Sequence, residues 1–64
     1  MTLKAFKGTI WFKYADIMVL YDSSGIEINP TTQIQWKRLQ RKTVSSHNVT
    51  HKDGLVILNV NLDV

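Results

Sequence analysis

Lys37, Arg38, Arg41 and Lys42 fall within six consecutive positions, and Lys52 follows in the same acid-free stretch. Trp36 immediately precedes this run, while Trp11 is flanked by Lys7 and Lys13. Cationic side chains neutralise phosphates and release counterions, and indole rings offer flat faces on which bases stack, at about 1–3 kcal/mol per base. The pattern points to nucleic acid, with Lys7, Trp11, Lys13, Trp36, Lys37, Arg38, Arg41, Lys42 and Lys52 as the contacting residues. The same side chains fit a second reading, in which the tryptophans are core or interface residues and the cations face an acidic protein surface.

Other reactive residue types lack the spacing their chemistry needs. His47 and His51 share a face if they lie on a strand, but stand about 13 Å apart at roughly 3.3 Å per residue, too far to share one ion. No cysteine or carboxylate lies between them as a third ligand, so two histidines packed beside Val56 and Val60 is the simpler expectation, and neither metal nor cofactor is predicted. Ser45, Ser46, His47 and Asp53 include the residue types of a nucleophilic triad, yet adjacent strand residues point to opposite faces. Asp16, Asp22 and Glu27 could pair as acid and base, but a chain this small has little room for an enclosed pocket around them. Asn48-Val49-Thr50 matches a glycosylation sequon, a short pattern that arises often by chance. Catalysis is therefore not expected.

Sixty-four residues make one domain, residues 1–64, with 44% hydrophobic residues and no cysteine. Domains this small bury only about 60% of their unfolded surface and are usually reinforced by disulfides, a metal or a partner subunit. With the first absent and the second unsupported, self-association, most simply as a dimer, is the expected reinforcement. No apolar run approaches the roughly 18 residues of a membrane span. The first residues show no signal-peptide pattern, so an intracellular, cytoplasmic protein with no membrane partner is expected. The net charge of +3 is uneven: residues 1–30 balance three lysines against three acids, whereas residues 31–52 hold five cations and no acid. A local field of that sign attracts polyanions.

The elements that would position these residues read mainly as strands. Over residues 4–14, Phe6, Gly8, Ile10, Phe12 and Tyr14 alternate with Lys7, Thr9, Trp11 and Lys13, which predicts a strand. The apolar run 16–21, the turn residues Asp22 to Gly25, and Ile26-Glu27-Ile28 predict a hairpin over 16–29. For 33–40 a strand is favoured, because Ile34, Trp36, Leu39 and Val44 scatter around a helical wheel. A helix at about 30–42, begun by Asn29-Pro30, is the alternative and would make the fold α+β. Asp53-Gly54 predicts a type I′ turn pairing Lys52 with Leu55, His51 with Val56, Val49 with Leu58 and His47 with Val60. The hairpin spans about 43–64, with Asn59, Asn61 and Asp63 on a polar outer face. Its last strand is either an exposed edge open to a second chain or a central strand.

Five strands with short connections predict an all-β, mainly antiparallel fold, a small barrel or rolled sheet. The function this implies is a non-catalytic binding module for nucleic acid. The alternatives are an interaction or inhibitor module docking on an acidic surface of a larger protein, and a subunit of a homo-oligomeric assembly.

Overall fold

The computed structural model describes residues 1–64. The chain forms α1 (Leu3–Phe6), α2 (Ile10–Tyr14), β1 (Ile17–Tyr21), β2 (Glu27–Ile28), α3 (Gln33–Gln40), β3 (Val44–Lys52) and β4 (Leu55–Leu62). The four strands make one open sheet in the order β2-β1-β4-β3. β1 runs parallel to β4, and the other pairs are antiparallel. The fold is α+β with a mixed sheet, and the expected all-β five-stranded barrel is incorrect.

The correction has two local causes. Residues 4–14 are two short helices, not a strand. The Thr2 side chain accepts from the Ala5 amide at 3.2 Å, satisfying a donor of the first turn, and Leu3 and Phe6, three apart on one helical face, are buried. The chain breaks at Gly8 and Thr9, where the Thr9 hydroxyl donates to the Phe6 carbonyl at 2.6 Å. In α2, Ile10 and Tyr14 stay exposed while Phe12 packs on the core. The alternation of apolar residues in this stretch therefore does not correspond to a buried face.

Residues 33–40 are likewise a helix, not the favoured strand. Thr32 and Gln35 close a capping box: the Thr32 hydroxyl accepts from the Gln35 amide, and the Gln35 side chain accepts from the Thr32 amide. Each satisfies a helix-end donor that has no partner within the helix. Gln, Lys, Arg and Leu are good helix formers. Trp36 and Leu39, one turn apart, pack against the core. Ile34 is 66% exposed and Val44 belongs to β3. Including those two residues is what scattered the wheel.

The two hairpins form as the sequence predicts. β1 pairs with β2 through Leu20↔Ile28 and Tyr21↔Glu27, and Asp22 Oδ1 accepts from the Ser24 and Ile26 amides in the turn. In the second hairpin Lys52, His51, Val49 and His47 pair with Leu55, Val56, Leu58 and Val60. Asp53 and Gly54 both take positive φ, 54° and 78°, as a type I′ turn requires. A register irregularity lies between Val44 and Ser46. β4 is a central strand, paired on both sides, which decides between the two readings of the C-terminal strand against the open edge. The edges are β2 and β3.

Leu20, Leu58, Val60 and Leu62 project from one sheet face and, with Leu3 and Phe6, form the six-residue buried core. The three helices lie on that face and supply the second layer that the sheet needs. The other face has no covering layer. There Asn59 donates to Asn48 Oδ1 and Thr50 Oγ1 at 3.0 and 3.1 Å, and Asn61 donates to Ser46 Oγ at 3.0 Å. Cross-strand bonding of this kind lets polar residues occupy a sheet face without leaving unpartnered groups. No helix is long and apolar enough to cross a membrane.

Candidate polyanion interface

The cationic run spans the end of α3 and the residues just after it: Lys37 and Arg38 lie in the last turn, Arg41 is the C-cap, and Lys42 begins the connection to β3. Arg38 and Lys42 line an open cleft of about 330 Å³ with Ile28, Asn29, Pro30, Gln35 and Leu39, and no acidic side chain lines it. Pro30 and Asn29 end β2 and turn the chain into α3, forming one wall, while the helix forms the other. Gln35 Oε1 is already engaged, accepting from the Thr31 amide at 2.7 Å. The cleft therefore presents two cations over an apolar floor, an arrangement suited to an anionic group carried on a larger ligand. Lys37 and Arg38 also lie in the last turn of α3, where positive charge complements the negative end of the helix dipole.

The remaining predicted contact residues do not join this cluster. Trp36 is half-buried against the core, and the Lys7 amine lies over its ring at 5.9 Å and over the Phe12 ring at 5.7 Å. Lys7 thus bridges α2 and α3 over aromatic faces, a contact typically worth about 0.5–1 kcal/mol at exposed sites. Trp11 lies elsewhere, beside His47 with ring centroids 5.4 Å apart, and Phe6 approaches the same histidine at 4.9 Å. Lys13 sits on α2, and Lys52 closes β3 at the hairpin turn. The cationic cluster of residues 37–42 and the exposed indole of Trp11 are therefore on separate elements.

Asp16 and Asp22 have structural partners. Asp16 Oδ2 accepts from the Val56 amide at 2.8 Å, and the Asp16 amide donates back to the Val56 carbonyl at 2.9 Å, locking β1 to β4. Asp22 holds the first hairpin turn. Ser45 donates to the Asn61 carbonyl, Ser46 accepts from the Asn61 amide group, and His47 projects to the opposite, helix-covered face. The serines and histidine do not converge.

Residues that the sequence did not single out are Asn29 and Gln35 in the cleft, and Ile10, Tyr14 and Val49 in an exposed apolar groove with Trp11, His51 and Val56. A Thr-x-x-Gln spacing at 32–35 could have located Gln35. The second group becomes visible only once α2 is known to lie beside β3. No known protein family, curated protein or solved structure matches the chain.

Proposed function

We propose that this chain is a non-catalytic binding module that holds a nucleic acid by its phosphate backbone, through Lys37 and Arg38 at the end of α3 and Arg41 and Lys42 just after it. The observation that carries this reading is the acid-free cleft that Arg38 and Lys42 both line, with Lys37 and Arg41 in the same run of sequence. Contact is made to phosphate rather than by base stacking, because Trp36 packs on the core beneath Lys7 and Trp11 lies away from α3. A non-catalytic role is in keeping with Asp16 and Asp22, which are engaged with backbone amides of β4 and of the first hairpin turn.

Fluorescence anisotropy with labelled single- and double-stranded oligonucleotides tests the reading. Binding at low salt should weaken on a log–log plot with a slope of about −0.9 per duplex phosphate contact. Double substitution Lys37→Ala/Arg38→Ala removes two of the four cations. It should make the slope shallower by about 2 while circular dichroism stays that of the parent. Failure of every oligonucleotide to bind at low salt, or an unchanged slope in the double variant, would overturn it.

A second reading, a protein-interaction module, draws on a separate observation: the apolar groove around Trp11. A pull-down from cell extract, with and without nuclease, separates the two. A nucleic-acid-mediated set of partners is lost on digestion and a directly bound protein is retained.

A further inference from the structure

We propose that β3 is the self-association edge of this protein, pairing antiparallel with β3 of a second copy about a two-fold axis at Val49. The proposal is independent of nucleic-acid binding.

The backbone of β3 carries the first part of the case. In an antiparallel ladder, hydrogen-bonded and non-hydrogen-bonded pairs alternate. Val56 directs both its amide and its carbonyl to Asp16 on the β1 side. His51, opposite Val56, therefore turns its own amide and carbonyl outward, away from β4. By alternation Val49 and His47 do the same. At the start of the strand the Val44 amide is already taken by the Met1 carbonyl at 2.8 Å. The stretch from Ser46 to Lys52 is left as a regular open edge. It contains no proline, and its one lysine is at the far end, so it lacks the usual devices that prevent strand addition.

Side chains supply the second part. His47, Val49 and His51 pair with Val60, Leu58 and Val56, so they lie on the helix-covered face. There Val49 and His51 meet Ile10, Trp11, Tyr14 and Val56 in a groove of about 430 Å³. Ile10, Trp11, Tyr14 and Val49 are 63, 50, 75 and 36% exposed. Together they present roughly 500 Å² of surface, within the roughly 300–600 Å² of the largest apolar patch on a typical monomer, which is often functional. The groove plus the backbone strip of residues 46–52 approaches the roughly 800 Å² per partner of a standard interface.

A second copy fits this edge because the edge is self-complementary. With Val49 on the axis, His47 lies opposite His51 of the second copy, Asn48 opposite Thr50, and Ser46 opposite Lys52. No two permanently charged residues face each other. The outward amides and carbonyls at 47, 49 and 51 all find partners, and the polar ladder of the uncovered face continues across the junction. The result is one eight-stranded sheet with all helices on one face, closed by an isologous contact.

Sedimentation equilibrium over a dilution series tests this, with circular dichroism as the check on folding. The parent should show twice the chain mass at high concentration. Val49→Pro removes an outward amide that β4 does not use, a position where an edge strand tolerates proline. It deletes two cross-strand bonds in the symmetric dimer and should raise the dimer dissociation constant about 30-fold. Val49→Lys keeps the amide, places like charges on the axis, and decides the matter if the proline variant misfolds. In a Trp36→Phe background, Trp11 emission should shift to the blue as the dimer forms. A parent that stays monomeric to its solubility limit overturns the proposal. So does a dimer that is unaffected by Val49→Lys, or one whose Trp11 emission ignores association.

Discussion

Trp36 and Trp11 stand in unlike surroundings. Trp36 is half-buried, packs on the core cluster and carries the Lys7 amine over its ring, while Trp11 is half-exposed with His47 as its ring neighbour. Truncating a fully buried aromatic costs about 3–5 kcal/mol, so Trp36→Ala should cost about 2 kcal/mol in proportion to its burial. For a domain of this size that lowers Tm by about 10 °C. Trp11→Ala removes a ring that keeps half its surface in water and should cost under about 1 kcal/mol. Both values are to be read by thermal or urea unfolding in a Val49→Pro background, so that any dimer does not contribute. Equal losses in the two variants would contradict the placement of Trp36 against the core. Tryptophan beside lysine reads the same in sequence at positions 11 and 36. Only packing separates them, because their burial depends on which helix face meets the sheet.

Short elements obscure that face. α1 and α2 have four and five residues, about one turn each, too short for a period of 3.6 to be told from a period of 2. The hairpin over 43–64 was legible down to its register because Asp53-Gly54 specifies a turn that only positive φ satisfies, and the turn then fixes the pairs from Lys52↔Leu55 to Ser46↔Asn61, up to the irregularity before Ser46. α3 lies between these cases. Its start signal, Thr32 followed by Gln35, is written in the sequence, but exposed Ile34 hid the stripe formed by Trp36 and Leu39. If that capping box holds the helix, Thr32→Ala should lower stability by about 1 kcal/mol, and Thr32→Ser should restore most of it. Urea midpoints at constant m-value are the measurement. A Thr32→Ala midpoint equal to that of the parent would mean that packing of Trp36 and Leu39 alone maintains α3. The candidate site was legible to the same degree. The cations of residues 37–42 are local in sequence and remained together, whereas Lys7, Lys13 and Trp11 lie in stretches whose element type was misread, Trp36 turns to the core, and Lys52 lies at the far end of the correctly predicted hairpin.

At the scale of the whole molecule, the cationic helix and the open edge lie at opposite ends of the sheet. Trp36 lines a groove with β1 and β2 residues, from Ile17 to Ile28, which sets α3 over the β2 side. α2 meets β3 and β4 residues in the Trp11 groove. Pairing through β3 would therefore place the two copies of α3 outermost on the same face. With strands about 4.8 Å apart, the two helices would stand on the order of 30 Å from each other. That approaches the 34–36 Å between successive turns of a DNA duplex groove, roughly the spacing at which dimeric proteins engage two half-sites. A duplex of about 24 base pairs could then meet both helices, whereas one of about 6 base pairs could meet only one. Linking the two contacts raises the effective concentration for the second. Val49→Pro should therefore weaken binding to the longer duplex at least about tenfold while leaving the shorter one unchanged, when both are measured by anisotropy at one salt concentration. This expectation rests on both proposals, and its failure modes differ. Loss of binding to neither duplex, with the dimer abolished, would show that each α3 acts alone. Equal loss on both would show that β3 itself contributes to the nucleic-acid contact.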